Sequence, residues 1–188
     1  MRIISGKFKS INLYGPKDRK IRPLKDMVRE SIFNFLTHSK KISFTIEGSN
    51  ILDLYSGTGS FGLECLSRNA NKIIFIEKEK EAIKILEKNI KKIKQNKNTE
   101  IIHNDALSII RKNTINLKFN LIFCDPPFND KNVEILIELI SQKKLLEKNG
   151  VIILHRNKNT IDKMPNYFHI IDERNYGISK IIFGTLCV

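Results

Sequence analysis

Short apolar runs alternate with amphipathic stretches along most of the chain. Residues 49–54, with Ile51, Leu52 and Leu54, form an apolar run that ends in Ser56-Gly57-Thr58-Gly59-Ser60-Phe61-Gly62, the pattern of a buried strand feeding a tight turn and a helix. That helix is expected to reach about Arg68, with Asn69 closing it in the left-handed conformation. A second strand is predicted at 72–77. Ala82, Ile83, Leu86, Ile90 and Ile93 then recur at the three- and four-residue spacing of a helix. The alternation continues with strands around 100–103, 119–124 and 150–155 and helices at about 106–112 and 131–146. Strands joined by helical crossovers pair in parallel, so the middle of the chain predicts an open α/β sheet.

The two ends depart from this pattern. Segments 169–172 and 178–186 are rich in β-formers and are joined across Asn175, Tyr176 and Gly177 with no helix between them, which predicts an antiparallel hairpin. The expected fold is therefore α/β, with a mostly parallel seven-stranded sheet at 49–188 that finishes in a C-terminal hairpin. Residues 1–48 read as a basic, β-rich extension followed by a packing helix. This helix begins near Asp26, its expected cap, and carries an apolar stripe of Met27, Ser31, Ile32, Phe35 and Leu36.

With 188 residues, 41% hydrophobic and 28% charged, the chain has the make-up of one globular domain with small additions. Charge changes the picture. Thirty-three basic against 20 acidic side chains leave +13, a field that favours polyanions such as RNA, DNA or an anionic membrane. Membrane insertion is not expected, because apolar runs such as Val151–Leu154 fall far short of the roughly 20 residues of a spanning helix. No signal-peptide core follows Met1, so a cytoplasmic protein is expected. Cys65, Cys124 and Cys187 are odd in number and far apart, which argues against a disulfide framework, and the scattered histidines offer no zinc-ligand spacing. The best candidate for an RNA surface is the N-terminal group Arg2, Lys7, Lys9, Lys17, Arg19, Lys20 and Arg22, interleaved with Phe8 and Tyr14; the lysines of 91–97 read as a solvated helix end.

Gly57, Gly59 and Gly62 form a GxGxxG between a predicted strand and a predicted helix, where backbone amides are expected to approach a ligand. Alone, the motif fits NAD, FAD and S-adenosylmethionine (AdoMet) equally. The acids around it narrow the choice. Glu77 closes the second strand, the position that places a carboxylate on ribose hydroxyls, and Asp53 lies in the first strand just before the loop. AdoMet is cationic and carries no pyrophosphate, so it suits this acidic surrounding better than a dinucleotide does. Asp105, after the third strand, is placed either to accept from an adenine amino group or to cap the following helix.

The sharpest signal is Asp125-Pro126-Pro127-Phe128, directly after the apolar strand at 119–124. A nucleobase amino group is a poor nucleophile because its lone pair is delocalised into the ring. Hydrogen bonds from that amino group to the Asp125 carboxylate and the Pro126 carbonyl would free the lone pair, Pro127 would help fix the turn, and Phe128 would stack on a base taken out of its helix. Cys124, at the end of an apolar strand, reads as a small buried hydrophobe and not as a nucleophile. His155 and Arg156 fall on the expected ligand edge without matching a motif.

These residues resemble a family. RIISGKFKSINL at the N-terminus, IRPLKDMVRESIFNFL at 21–36, ILDLYSGTGSFGLECLSRNA at 51–70 and FNLIFCDPPF at 119–128 are similar to the RsmD-type 16S rRNA guanine-N2 methyltransferases, nearly end to end. The resemblance implies a class I, Rossmann-like methyltransferase that uses AdoMet on one guanine of small-subunit rRNA, with a 30S subunit or an assembly intermediate as partner. By motif, Asp53, Gly57, Gly59, Glu77 and Asp105 would hold AdoMet, while Asp125, Pro126 and Phe128 would present the base. The oligomeric state is not fixed by the sequence, with a monomer favoured. Three other functions compete. A DNA adenine-N6 methyltransferase shares the Asp-Pro-Pro-aromatic motif but normally carries a sizeable target-recognition domain. A nicotinamide dehydrogenase leaves that motif unexplained, and a catalytically inactive RNA-binding assembly factor would have no need of an intact Asp125.

Overall fold

The computed structural model describes residues 1–16 and 24–187, so Lys17, Arg19, Lys20 and Arg22 lie outside the described residues. The seven strands are β1 (Asn50–Leu54), β2 (Lys72–Glu77), β3 (Thr99–His103), β4 (Phe119–Cys124), β5 (Leu146–Asn157), β6 (Phe168–Tyr176) and β7 (Ser179–Leu186). They form one sheet in the order β3-β2-β1-β4-β5-β7-β6. The first five are parallel, and β7 lies antiparallel between β5 and β6, as the class I arrangement requires. The helices are α1 (Asp26–His38), α2 (Ser60–Ser67), α3 (Lys80–Lys92), α4 (Ala106–Lys112) and α5 (Val133–Gln142).

The central strands are apolar at successive positions because both faces of the sheet are covered. Ile51, Phe75, Phe123 and Ile153 face α1, α2 and α3, whereas Leu52, Ile74, Ile122 and Ile152 pack with the residues of α4 and α5. An aromatic stack runs through the first layer: Phe33 of α1 on Phe61 of α2 at 5.1 Å, and Phe61 on Phe123 of β4 at 4.0 Å. The turn from α2 towards β2 uses Asn69 at φ 65°, the left-handed closure expected from the sequence.

The described residues of the extension are not β-rich. Its only strand-like feature among the described residues is one isolated bridge, Arg2 to Asn12, because positive φ at Gly6 (81°) and Ser10 (69°) turns the chain back on itself. Its amides bond to side chains of α2. Ile4 and Ser5 donate to the fully buried Glu64 carboxylate at 2.7 and 3.0 Å, and Phe8 donates to Ser67 Oγ at 2.9 Å. A Cβ on Gly6 would stand 1.9 Å from the Ser67 carbonyl oxygen, so only glycine allows this approach. Farther along, the buried Asn89 of α3 accepts from the Tyr14 amide at 2.7 Å and donates to the Tyr14 and Thr58 carbonyls, tying the extension to the glycine loop.

Other boundaries also differ from expectation. Asp26 does not cap α1; Lys25 holds the cap position without a side-chain bond, and Asp26 pairs instead with the fully buried Arg29, which also donates to the Arg2 carbonyl. The stripe of α1 is Val28, Arg29, Ile32, Phe33, Phe35 and Leu36, with Met27 turned out at 62% exposure. α5 stops at Gln142, and β5 begins at Leu146, since Lys144 at φ 50° ends the helical path early. No described helix is long and apolar enough to cross a membrane.

Candidate active site

The chain runs outward in both directions from β1, to β2 and β3 on one side and to β4 and β5 on the other. Crossovers that diverge in this way leave a crevice at the carboxyl ends of the strands. A cavity of about 780 Å³ occupies it, walled by the loop after β1, the end of β2 and the turn after β4.

On the β1–β2 side, two carboxylates organise the loop. Asp53 is 1% exposed; its Oδ2 accepts from the Gly62 amide at 3.0 Å, and its Oδ1 has no partner among the described residues. Burial pushes this carboxyl well above the usual carboxylate range, against the lowering effect of the Gly62 bond. Glu77 accepts from the Gly57 amide at 2.7 Å and from the Lys78 and Glu79 amides at 2.8 Å. Gly59 donates to the Ser56 carbonyl at 2.8 Å. All three motif glycines therefore give their amides to protein acceptors, contrary to the expectation that these amides face a ligand. Conformation and packing explain two of the glycines: Gly59 sits at φ 84°, and a Cβ on Gly62 would meet the Phe75 ring at 2.3 Å. The cavity wall itself is made by Gly57, Glu77 and the hydroxyl residues Ser56, Thr58 and Ser60; the buried Ser56 Oγ has no partner among the described residues. Asp53 and Gly59 stand behind that wall. Asp105 also does so, with its carboxylate capping α4 through the Ser108 amide at 3.0 Å, while its neighbours Asn104 and Ala106 line the space.

On the β4 side, Asp125, Pro126, Pro127 and Phe128 all line the cavity. Arg156 holds their turn from beneath. It is fully buried, pairs through two nitrogens with Asp162 at 2.9 Å, and donates to the carbonyls of Pro127 (3.2 Å) and Asp130 (2.6 Å). The Pro126 carbonyl takes no hydrogen bond among the described residues. Asp125 Oδ1 lies 2.8 Å from His155 Nδ1, and His155 Nε2 lies 2.9 Å from Ser179 Oγ. The Phe128 ring meets the imidazole edge-on at 5.4 Å. Cys124 points to the opposite face of the sheet, and burial pushes its thiol up, so it is no thiolate.

Arg2, Lys7 and Lys9 are exposed, and none of them lines the cavity. The Lys7 amide bonds to the Ser67 carbonyl at the far end of α2, which sets Lys7 away from the Asp125 turn. Lys25 does reach the cavity rim. Lys92 of α3, read from the sequence as part of a solvated helix end, lies over the Tyr14 ring at 4.8 Å and donates to the Asn12 carbonyl at 2.6 Å, which makes the extension and α3 one surface. Sequence reasoning missed the roles of His155, Arg156 and Ser179. The available signal was the strand period, which puts His155 on the same face as Ile153, as Asp125 is on that of Phe123.

The family model described as conserved hypothetical protein 95 matches residues 1–185. Ribosomal RNA small subunit methyltransferase D of Haemophilus influenzae is 30% identical over 179 residues, covering 95% of this chain and 90% of that protein. The protein of the same name from Buchnera aphidicola subsp. Baizongia pistaciae is 31% identical over 93% of this chain and 86% of that one. The solved structure of yhhF from Escherichia coli superposes with a TM-score of 0.84 at 26% identity, over 99% of this chain and 97% of that one. The glycine loop, the Asp125 turn and the antiparallel β7 thus occur together in a chain that these relatives match nearly end to end, and the chain belongs to the conserved hypothetical protein 95 family, that of the RsmD-type methyltransferases.

Proposed function

We propose that this protein methylates the exocyclic N2 of one guanine in 16S rRNA, using AdoMet, with a 30S subunit or an assembly intermediate as the form of the substrate. The observation that carries the reading is the joining of the glycine loop and the Asp125 turn in one cavity.

The residues fit a cationic nucleoside. Ser56 Oγ is a buried polar atom without a partner among the described residues, the Glu77 carboxylate lies in the wall, and Asp53 behind it holds the loop through the Gly62 amide. A pyrophosphate fits less well, because the amides of Gly57, Gly59 and Gly62 already bond to Glu77, Ser56 and Asp53. AdoMet, when bound, supplies a methyl group on a sulfonium, which an amine accepts without a metal.

The chain's own contribution is proximity and alignment. Asp125 and the Pro126 carbonyl accept the two hydrogens of the guanine amino group and draw the nitrogen towards tetrahedral geometry, while Phe128 stacks on the base. The nitrogen gains the methyl group and loses one proton, for which the Asp125 carboxylate is the adjacent acceptor. Arg156 keeps the Pro127 carbonyl turned away from the base. The exposed Arg2, Lys7 and Lys9, with Lys17, Arg19, Lys20 and Arg22, contact phosphates. A cytoplasmic monomer is the form this reading expects.

The test is to incubate the protein and labelled AdoMet with free 16S rRNA, 30S particles and naked DNA. Label in rRNA supports the reading; label confined to DNA adenine would replace it with the alternative that the Asp-Pro-Pro-Phe motif also permits.

A further inference from the structure

β4 and β5 are parallel neighbours whose last paired positions are Cys124 and Leu154, so the next residue on each strand, Asp125 and His155, face one another where the sheet opens into the cavity. Ser179 begins β7, which runs back along β5, and its hydroxyl meets the far nitrogen of the same imidazole. The three side chains form a continuous array, Asp125 Oδ1 to His155 Nδ1 at 2.8 Å and His155 Nε2 to Ser179 Oγ at 2.9 Å. Hydrolases use the same residue types to activate a serine that faces substrate. Here the exposure is reversed: the Asp125 side chain is 24% exposed at the cavity, whereas Ser179, which also lines it, is only 7% exposed and meets the ring at its far nitrogen.

We propose that His155 is a positioning residue for methyl transfer: its Nδ1–H fixes one oxygen of Asp125 so that the other is presented to the target amino group, and Ser179, donating to Nε2, fixes the tautomer that does so. This rests on the reading of Asp125 as the acceptor for the base. A carboxylate at the end of a strand turns about its last bond; pinning Oδ1 leaves Oδ2 with one direction, which is the preorganisation that an aligned amino group needs. The edge-on contact with Phe128 couples the same imidazole to the ring expected to stack on the base.

Two substitutions separate positioning from simple core filling. His155→Asn keeps an N–H near the Nδ1 position, whereas His155→Gln sends its amide towards Ser179 and leaves Asp125 without the donor. Single-turnover transfer to 30S particles is expected to fall about tenfold or more in His155→Gln, with AdoMet affinity by calorimetry within about twofold of wild type, and His155→Asn is expected to keep most of the rate. Equal rates in the two variants, or a His155→Gln rate equal to wild type, would overturn the assignment. The wild-type protein gives a readout independent of activity and of variant folding: in a long-range nitrogen–proton NMR spectrum, His155 is expected as the Nδ1-protonated tautomer, with that preference reduced in Ser179→Ala. An Nε2-protonated ring would sink the proposal even if the enzyme methylates guanine. If wild type instead transfers methyl groups to a different acceptor, the reading of the substrate fails, and the Gln–Asn comparison on that acceptor still decides the role of His155.

Discussion

Asp125 and His155 stand opposite each other across β4 and β5, with Oδ1 2.8 Å from Nδ1, one residue beyond the last paired positions of the two strands. Strand register alone brings together these groups, thirty residues apart in sequence. The same edge carries Arg156, whose side chain takes the other face and clamps the turn that Asp125 begins. Neighbouring residues of one strand thus hold the candidate base-presenting motif from two sides.

Removing the Arg156 clamp should destabilise the whole protein. Arg156→Met leaves Asp162 buried without its counter-charge and takes the donor from two carbonyls, a loss of about 3–5 kcal/mol. Urea unfolding measures it; a change below about 1 kcal/mol would mean that the turn is held by its prolines alone.

Asp53 gives a pH signature. The unfolded carboxyl titrates near pH 4, whereas burial raises the folded value, so the native state binds the extra proton between the two and stability falls as pH rises through that window. Asp53→Asn, which keeps an acceptor for the Gly62 amide, should therefore melt above wild type at neutral pH, with the gap closing towards pH 4. It should also weaken AdoMet binding. Thermal unfolding from pH 4 to 8, with and without AdoMet, checks both; a variant that melts lower throughout and binds AdoMet normally would leave Asp53 a purely structural acceptor.

Gly62 tests the packing under the loop. A Cβ there would meet the fully buried Phe75 ring at 2.3 Å, so Gly62→Ala should cost about 1–3 kcal/mol, and Phe75→Leu in the same chain should restore part of the loss. Purely additive effects of the two changes, measured in a double-mutant cycle, would contradict a direct clash.

The RNA surface is expected to span the extension and α3. Neutralising Arg2, Lys7, Lys9 and Lys92 should weaken binding of 16S rRNA and lower the salt dependence by about one slope unit for each phosphate no longer neutralised. Neutralising Lys144 and Lys148, which are exposed around the start of β5, should leave the slope unchanged. Equal effects of the two sets would indicate nonspecific attraction by net charge.

The sheet, its order of elements and the hairpin were legible because buried strands are short apolar runs and glycine punctuates them, as Ile51–Leu54 and the following loop illustrate. The extension was not. Its β-formers promise strands, but the donors of Ile4 and Ser5 bond to Glu64, about sixty residues away, and no local pattern announces that carboxylate. Met27 was misplaced on the inner stripe of α1 because Val28 and Arg29 together take the inner face of its first turn, and periodicity counts Arg29 as polar. In the site, Asp125 and the glycine loop were legible as contiguous motifs, whereas His155, Arg156 and Ser179 act through cross-strand register and need the fold to be seen.

The most direct test of base presentation by Asp125 is to digest 30S particles, labelled by the protein with methyl-tritiated AdoMet, to nucleosides and to compare wild type with Asp125→Ala. One labelled species, N2-methylguanosine, is expected with wild type, and its rate of formation should fall about a hundredfold or more with Asp125→Ala at unchanged AdoMet affinity. Label in any other nucleoside, or transfer by Asp125→Ala at the wild-type rate, would contradict that mechanism.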